Sequence, residues 1–314
     1  MTSLKSTPRI ALIYGGKSAE RDVSIAGARQ VKRALLSLGY EVFEYDPLTD
    51  LKKIVEDADR LDGAFLVLHG AFGEDGRMQG FLDMLGIPYQ GAGVLGSALS
   101  MDKHLSKTIY VANDIPTPQW SLIGKDFNKE GLNDLLGGLR LPLMVKPRKQ
   151  GSSVGMGIAN DIEGLKTIID EAFKWDDWVI LEEFIEGREL SVGVLEGYSP
   201  PVLPPVEIIP GEGYEFFDYE AKYTPGATKE VCPAPVPEEV AARAQDLALK
   251  AHRALCLKDY SRTDMILSET GELFVIETNT IPGMTETSLF PQEAKAVGLE
   301  FEALIAHLVE RMLQ

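Results

Sequence analysis

Short apolar runs alternate with amphipathic stretches over the first hundred residues of the chain. Each run has the length of a strand, and the stretches between the runs carry apolar residues at helical spacing. Buried strands that alternate with helices predict a parallel sheet covered by helices. The predicted strands are 9–16, 41–46, 63–70 and 88–91, and the predicted helices are about 24–38 and about 79–85.

This pattern predicts a doubly wound N-terminal α/β domain over residues 1–100. Ligands of such sheets bind at the carboxyl ends of the strands. Two polar, glycine-rich loops follow predicted strands there, at 15–20 and 69–76. We expect this end of the sheet to take part in binding a substrate.

The remaining sequence mixes strands and helices in a different order, which favours an α+β organisation. We place a central unit at 101–188 and a C-terminal unit at 189–314. The predicted strands are 120–124, 141–147, 155–160, 178–185, 189–197 and 202–210, and the predicted helices are about 162–173, 237–257 and from about 301 onward.

Residues 210–235 have neither a helical period nor a clean strand period. The segment is rich in glycine, proline and aromatic residues, and it carries Lys222 and Tyr223 near its middle. A stretch of this length without regular structure is usually functional within a compact domain. We predict an active-site lid, although Lys222 alone would more often be a surface charge.

Two runs of β-forming residues near the C-terminus, 263–267 and 273–278, flank a polar turn. The only glycine of this turn is Gly271, and a tight hairpin connection requires such a residue. With Thr270 and Gly271 as the loop, the numbers of paired residues sum to 541, since each step along one strand is a step back along the other. This predicted β-hairpin is called the acid hairpin below.

In this register Asp264 faces Glu277 and Arg262 faces Asn279, all on one face of the acid hairpin. Burying two opposed carboxylates is costly unless a cation neutralises them. Oxygen ligands of this kind suit Mg²⁺ that bridges nucleotide phosphates. The alternative is a solvated polar face with a chance pair of acids. The same face is also predicted to carry apolar residues, Ile266 and Val275.

Composition and charge exclude several classes of protein. The chain has 314 residues, of which 45% are hydrophobic and 25% charged, as in ordinary globular proteins. A formal charge of -17 argues against a nucleic-acid partner, because phosphate backbones attract basic surfaces. Cys232 and Cys256 suggest neither a disulfide framework nor a zinc site. The absence of a signal peptide and of a membrane-length apolar stretch predicts a cytoplasmic protein.

A third glycine-rich loop, at 150–157, follows the strand that ends near Lys146. Its glycines allow backbone N–H groups to approach phosphate oxygens, and Ser152, Ser153 and Lys146 supply further donors. Because the loop lies between two predicted strands, it resembles a flap over a nucleotide rather than a Walker loop. Such loops also occur without any ligand.

Two other places carry polar groups that suggest binding. Glu182, Glu183 and Glu189 flank a candidate hinge between the second and third units, where a carboxylate could contact adenine or ribose. The competing interpretation is a solvent-facing strand end. Further on, the N–H groups near Gly283 and at the start of a short helix could hold a carboxylate or an oxyanion. The residues at this helix start are Ser288 and Leu289, and helix capping by Ser288 or Thr285 is the alternative.

Taken together, these segments resemble the ATP-grasp superfamily and, within it, the D-alanine:D-alanine ligases. The resemblance covers nearly the whole chain. Seven motifs carry it in the family's order: GGKSAERDVS, LHGAFGEDG, SALSMDKHLSK, VKPRKQGSSVGM, DYEAKY, SRTD and ETNTIPGMTETSL. It implies a three-domain ATP-grasp fold with nucleotide bound between the central and C-terminal domains.

The resemblance also implies an activity and roles for individual residues. ATP would phosphorylate one D-alanine, and the amine of a second would attack the acyl phosphate, as in peptidoglycan precursor synthesis. The implied catalytic residues are Glu20, Ser152, Tyr223, Arg262 and Gly283, and the implied substrate-binding residues are His69, Glu74, Ser288 and Leu289. The implied nucleotide contacts are Lys103, Lys146, Ser153, Glu182, Glu183, Glu189 and Lys222, and the implied metal ligands are Asp264, Glu277 and Asn279.

The implied cofactors are ATP and two Mg²⁺ or Mn²⁺ ions, with an activating monovalent cation as a further option. The family's habit suggests a homodimer. Tyr223 favours an amine as the second nucleophile, since related ligases that make D-alanyl-D-lactate tend to lack a tyrosine there. The alternatives are an ATP-grasp ligase with D-lactate or D-serine as acceptor and a non-catalytic, nucleotide-binding regulator.

Overall fold

The computed structural model describes residues 7–127, 132, 136, 138–151, 153–211 and 228–314. Ser152, Lys222 and Tyr223 lie outside the described residues, as does most of the predicted lid. No helix in the described part of the chain is long and apolar enough to cross a membrane.

The first sheet is parallel, as predicted. Its strands are β1 (Arg9–Tyr14), β2 (Glu41–Tyr45) and β3 (Gly63–Val67), in the order β2-β1-β3. The predicted fourth strand contributes only a single parallel bridge, from Tyr89 to Ala64. The helices of this unit are Arg21–Ser37, Leu51–Asp57, the short 3₁₀ helix Ala58–Arg60, and Arg77–Leu85.

Apolar cores cover both faces of this sheet. Ile10 and Leu12 of β1 pack with the helix Arg21–Ser37, while Ala11 and Ile13 pack on the other side. Alternate residues of a strand point to opposite faces, so a run of apolar residues indicates a strand buried on both sides. The C-terminal helix, Phe301–Met312, also packs into the first of these cores.

The second sheet is antiparallel and has the order β4-β7-β5-β6. The helix Ile162–Ala172 covers one face, with Leu165 and Ile169 fully buried against the strands. Two helices, Val94–Met101 and Lys103–Ala112, lead into this unit. Its strands are β4 (Trp120–Gly124), β5 (Leu143–Pro147), β6 (Gly157–Ala159) and β7 (Trp178–Glu183).

The third sheet is also antiparallel and has the order β10-β9-β8-β11-β12. The helix Glu238–Ala254 covers one face, and the helix Leu289–Ala296 follows the last strand. The strands are β8 (Gly187–Leu195), β9 (Val206–Pro210), β10 (Thr228–Val231), β11 (Tyr260–Ser268) and β12 (Leu273–Asn279).

β10 lies within the segment 210–235, for which the sequence predicted no regular structure, so that part of the prediction is wrong. Among the residues that the structure describes, this short edge strand pairs with β9 alone, and it is neither buried nor clearly alternating. An edge strand gives a weak signal in the sequence, because only one of its two edges forms hydrogen bonds with a neighbouring strand.

The acid hairpin has the predicted pairs at its functional end. Asp264 is opposite Glu277, and Arg262 is opposite Asn279. β11 is central, because its other edge pairs with β8 along nine residues. Asp264 therefore lies on an interior strand of the sheet, and Glu277 lies opposite it on the edge strand β12.

At the other end of the hairpin the predicted register is wrong, because the pairing shifts just after Asp264. Ile266 pairs with Phe274 rather than with Val275. The side chain of Val275 is fully buried in the core. A β-bulge places two residues opposite one and redirects the side chains beside it. As a result Ile276, not Val275, lines a pocket with Ile266.

We expect Leu66→Ala to lower the free energy of unfolding by about 2–5 kcal/mol, because Leu66 is fully buried in the middle of β3. Met84→Ala is the control, since this side chain is 82% exposed and its removal should change stability by less than about 0.5 kcal/mol. Urea unfolding followed by circular dichroism measures both. Equal stability of the two variants would contradict the assignment of the core.

Candidate active site

A cleft of about 1050 Å³ opens between the three sheets. Its walls come from all three predicted units, although these residues are far apart in the sequence. The predicted residues that line it are Glu20, His69, Glu74, Lys103, Arg262, Glu277, Asn279, Gly283, Ser288 and Leu289. The structure thus brings together the described residues predicted for substrate binding.

A smaller pocket of about 120 Å³ lies between the second and third sheets. Lys103 and Glu277 line both cavities, so the two are neighbours. Its predicted polar residues are Lys103, Lys146, Ser153, Glu182, Glu183, Glu189, Asp264 and Glu277. Its apolar wall includes Met144, Met156, Ile185, Ile266 and Ile276. An apolar slot that ends in charged groups suits a flat base joined to phosphates.

Arg262 and Asp264 form a fork-to-fork ion pair. Nε of Arg262 donates to Oδ1 of Asp264 at 2.9 Å, and Nη2 donates to Oδ2 at 2.7 Å. The hydroxyl of Ser191 donates to the same carboxylate at 2.6 Å, and the amide of Asn279 donates at 2.9 Å. Burial alone would lower the pKa of Arg262, but Asp264 raises it above its ordinary value. Arg262 is therefore a fixed positive charge at the floor of the cleft.

Lys103 connects the acid hairpin with the glycine-rich flap. Its ammonium group donates to Oε2 of Glu277 at 3.0 Å and to the backbone carbonyl of Gln150 at 3.0 Å. Lys103 is the first residue of the helix Lys103–Ala112, and its side chain is mostly buried. Each carboxylate of the acidic pair thus has its own protein cation, Asp264 with Arg262 and Glu277 with Lys103.

The donor chemistry of the hairpin fits Mg²⁺. Asp264 and Glu277 offer carboxylate oxygens, and Asn279 offers an amide oxygen on the same face. The described residues contain no group of three or more His, Cys, Asp or Glu side chains that could hold a metal ion by themselves. In phosphate-transfer sites Mg²⁺ is bound by one or two carboxylates and takes its other ligands from phosphates and water.

Glu182 lies between two buried lysines. Its Oε2 is 2.8 Å from the ammonium group of Lys107, and its Oε1 accepts a hydrogen bond from Lys146. Although burial raises the pKa of a carboxyl group, the two lysines hold that of Glu182 below its ordinary value. Burial lowers the pKa of Lys107 to about 8. We predicted Glu182 as an adenosine contact, and in the structure both of its oxygens bind lysines.

The sequence analysis missed Lys107. The available signal was its position four residues after Lys103 in the motif SALSMDKHLSK, which places both lysines on one face of a helix. A second lysine at helical spacing is usually exposed, so this signal was weak.

The side chain of Glu20 lies beside two glycine-rich segments in the larger cleft. A Cβ atom on Gly70 would lie 2.8 Å from its Oε2, and one on Gly151 would lie 3.2 Å away. Gly70 also has a positive φ of 67°, which other residues rarely adopt. These glycines therefore leave the space that the carboxylate of Glu20 occupies.

Two titratable neighbours of Glu20 are held uncharged at neutral pH. Burial, with the negative charge of Glu20, raises the pKa of Glu74 to about 8. Burial lowers the pKa of His69, with a further contribution from Arg262. Glu74 also accepts hydrogen bonds from the backbone N–H groups of Gly70 at 2.8 Å and Ile281 at 3.2 Å. The arrangement suits a ligand whose ammonium group meets Glu20.

Ser288 begins the helix Leu289–Ala296 without capping it through its side chain. Its hydroxyl instead pairs with the hydroxyl of Thr285 at 2.7 Å and accepts from the Thr285 N–H at 3.1 Å. The predicted alternative, capping by the Ser288 side chain, is therefore wrong. The first N–H groups of a helix have no partner within the helix, and Ser288 and Leu289 at this helix start line the cleft together with Gly283. This end of the cleft can bind a carboxylate.

A further acid, Glu293, lies behind Arg262 and gave no sequence signal. It is fully buried, and its two oxygens lie near the backbone of Gly193 but outside hydrogen-bonding geometry. Gly193 is the β8 partner of Arg262, and a Cβ atom there would lie 2.2 Å from Oε2 of Glu293. Burial raises the pKa of Glu293 well above its ordinary value.

Solved structures that match this fold include ligases. The D-alanine–D-alanine ligase from Bacillus anthracis, complexed with ATP, matches with a TM-score of 0.84 and 35% identity over 98% of both chains. The VanG D-Ala:D-Ser ligase from Enterococcus faecalis matches with a TM-score of 0.84 and 30% identity, over 97% of this chain and 99% of that one. The fold is that of the ATP-grasp ligases, as predicted.

Sequence comparisons narrow this class. Residues 109–310 match the family model for the D-ala D-ala ligase C-terminus, and residues 44–92 match that for the N-terminus. The D-alanine–D-alanine ligase of Desulfotalea psychrophila is 51% identical over 98% of this chain and 95% of its own length. That of Syntrophobacter fumaroxidans is 47% identical over 97% of both. The chain belongs to the D-alanine–D-alanine ligase family.

We expect Glu74→Gln to flatten the dependence of stability on pH. Because the pKa of Glu74 is about 8 in the folded protein against an ordinary 4.5, the folded state holds a proton that the unfolded state releases between these values. Stability conferred by that proton is present below the unfolded pKa and is lost as pH rises through the folded one. The thermal midpoint, measured without ligands from about pH 5 to about pH 9, reports this loss.

Glu269→Gln is the control for this series, because Glu269 is an exposed acid at the turn of the acid hairpin. Its pH dependence should match that of the unmodified protein. A Glu74→Gln curve with an unchanged slope would contradict the raised pKa.

Proposed function

We propose that this protein uses ATP to join two molecules of D-alanine into D-alanyl-D-alanine, with release of ADP and phosphate. Relatives that carry this activity in their names match over nearly the full chain. The observation that carries the proposal is the adjacency of the two cavities: the slot lined by lysines and the acid hairpin shares Lys103 and Glu277 with a cleft that has Glu20 and a helix start in its walls.

The nucleotide occupies the slot between the second and third sheets. Its base lies between the apolar walls, near Glu183 and Glu189, and its phosphates lie toward Lys103 and Lys146. Ser153 adds a donor from the flap. Lys222 is a further proposed phosphate contact, which rests on the family resemblance because it lies outside the described residues. In this proposal Glu182 acts through the two lysines rather than by contacting adenosine.

Asp264, Glu277 and Asn279 are the proposed metal ligands. When bound there, Mg²⁺ supplies positive charge to the phosphate oxygens, which lowers the repulsion of an approaching carboxylate. Manganese has similar ligand preferences, and a monovalent activator stays a family-based expectation.

The first D-alanine binds through its ammonium group to Glu20, beside neutral His69 and Glu74. Ser152 and Tyr223 complete this contact in the proposal, on the family resemblance alone. The uncharged neighbours are useful because a second negative charge would also attract the ammonium but would repel the carboxylate of the same substrate. The carboxylate is thus directed away from Glu20 and toward Arg262.

In the first step one carboxylate oxygen attacks the γ-phosphorus of ATP. A new bond from oxygen to phosphorus forms, the bond from this phosphorus to the bridging oxygen breaks, and ADP leaves with the electron pair. The product is D-alanyl phosphate. Several anions meet here, and Arg262, Lys103 and Lys146 offset their repulsion.

In the second step the neutral amine of another D-alanine attacks the acyl carbon. Arg262 and the N–H of Gly283 stabilise the oxyanion that develops. The bond between the acyl carbon and the phosphate oxygen then breaks, phosphate leaves with the electron pair, and the nitrogen passes its proton to the leaving phosphate. Ser288 and the N–H of Leu289 hold the carboxylate of the second substrate.

The cellular setting follows from this chemistry. The dipeptide is a building block of peptidoglycan precursors, and a protein that consumes ATP for its synthesis would act in the cytoplasm.

A homodimer is proposed from the family resemblance. The division at residues 100 and 188 is likewise a proposal, with the qualification that the C-terminal helix packs on the first sheet.

The acceptor is the open alternative, because a D-Ala:D-Ser ligase shares this architecture at 30% identity. The 51% identity with a D-alanine–D-alanine ligase favours D-alanine. Phosphate release with ATP and Mg²⁺ tests the choice, with D-alanine, L-alanine, or D-alanine mixed with D-serine or D-lactate. We expect release only when D-alanine is present, and D-alanyl-D-alanine as the main product by mass. ATP binding without turnover would instead indicate a non-catalytic regulator.

We expect Glu277→Gln to lose most turnover, roughly 10²-fold or more in kcat, because the change removes a metal-ligating charge but little volume. Glu272→Gln is the matched control, an exposed acid on the same hairpin that should leave kcat unchanged. Coupled-assay kinetics measure both, and circular dichroism checks the fold. A kcat close to that of the unmodified enzyme would overturn the metal assignment.

A further inference from the structure

Lys107 is almost completely buried, with 1% of its surface exposed. Its ammonium group has three acceptors: the hydroxyl of Thr117 at 2.5 Å, the carbonyl of Pro118 at 3.1 Å and Oε2 of Glu182 at 2.8 Å. An ammonium group has three N–H donors, so each can be satisfied. Because burying a charge is costly unless it is paired and hydrogen-bonded, this lysine is held in a single position.

Lys107 does not reach the nucleotide slot. The slot is lined by Lys103, Lys146 and Glu182, and Lys107 lies behind Glu182. Lys103 and Lys107 are four residues apart on one helix, and only Lys103 points into the slot. Any effect of Lys107 on a bound nucleotide must therefore pass through Glu182 or through its charge.

The effect follows from the charges of three side chains, Lys107, Lys146 and Glu182, which form a buried cluster. Glu182 carries one negative charge and is shared by two cations, Lys107 on one oxygen and Lys146 on the other. Without Lys107, the remaining pair of Lys146 and Glu182 would be neutral and would attract a phosphate weakly. Glu182 could then turn both oxygens toward Lys146 and occupy its donors.

We propose that Lys107 is a positioning residue for the nucleotide phosphates: by binding one oxygen of Glu182 it leaves the cluster with a net positive charge and keeps Lys146 available to the phosphates. This inference rests on the proposed use of ATP. It adds a role for a residue that touches neither substrate.

The competing account is that Lys107 only stabilises the fold. Its bonds to Thr117 and Pro118 join the helix Lys103–Ala112 to the segment before β4, so some loss of stability is expected when it is removed. A purely structural role would not distinguish between ligands with and without phosphates. The charge-based role would do so, because adenosine fills the same slot as ADP but carries no phosphate.

The test compares Kd values for ADP and for adenosine, measured by calorimetry without D-alanine. We expect Lys107→Met to weaken ADP binding by about tenfold and adenosine binding by less than about twofold. Lys107→Arg, which retains the charge, should stay closer to the unmodified protein. The control is Lys125→Met, since Lys125 is a half-exposed lysine of the same unit that pairs with Asp177. It should change neither Kd.

The double variant Lys107→Met with Glu182→Gln gives the sharpest outcome. It removes both partners of the buried pair and leaves Lys146 as a single positive charge, so ADP affinity should return to within about threefold of the original. Adenosine is measured alongside, because a change at Glu182 can also affect the base. Because the double variant is compared directly with the unmodified protein, this measurement can be made even if Lys107→Met alone does not fold.

Three results would overturn the inference: ADP binding unaffected by Lys107→Met, equal losses for ADP and adenosine, or no recovery in the double variant. Failure of the proposed use of ATP is distinguishable from these results, because the unmodified protein would then not bind ADP at all, and failure of turnover alone appears in the phosphate-release assay. Thermal unfolding of each unliganded variant separates a loss of stability from a loss of affinity.

Discussion

The pairing of carboxylates around the slot with protein cations is the interaction on which the rest of the site depends. Asp264 has Arg262, Glu277 has Lys103, and Glu182 has two lysines. Isolated charges in such a place would shift their pKa values and become neutral. Because the charges are paired and hydrogen-bonded, the cost of burying them is offset, and the arrangement suits a polyanion together with a metal ion.

The three sheets serve this arrangement in different ways. β11 carries Arg262 and Asp264 in the middle of the third sheet, where neighbouring strands fix the backbone on both sides. The second sheet places Lys146 and Glu182 on adjacent strands, β5 and β7. The first sheet contributes the glycine-rich loops at the ends of its strands, which surround Glu20. No single unit could assemble the cleft, since each supplies one side of it.

Much of this could be predicted from the sequence, because it depends on local patterns. Alternating apolar runs predicted the parallel sheet, and the 541 register predicted the pair Asp264 and Glu277. The β-bulge after Asp264 could not be predicted, because one inserted residue changes no local propensity. β10 was missed because a short, polar edge strand has only one partner to match.

The missed charged residues have a common cause. Lys107 and Glu293 gain their importance from contacts across the fold, with Glu182 and with the surroundings of Arg262. Sequence spacing suggests which residues share a helix face, but not which of them will be buried. In both cases the neighbouring residue lies on a strand that is distant in the sequence, so only the folded chain reveals the contact.

In the proposed reaction the paired charges assist the transfer of a phosphoryl group from ATP to the carboxylate of D-alanine. The most direct measurement uses D-alanine labelled with ¹⁸O in its carboxylate, followed by mass analysis of the phosphate released. In our account the acyl carbon gives up the oxygen that it placed on phosphorus, so the phosphate should contain one ¹⁸O atom from the substrate. Unlabelled phosphate, formed together with the dipeptide, would contradict the account.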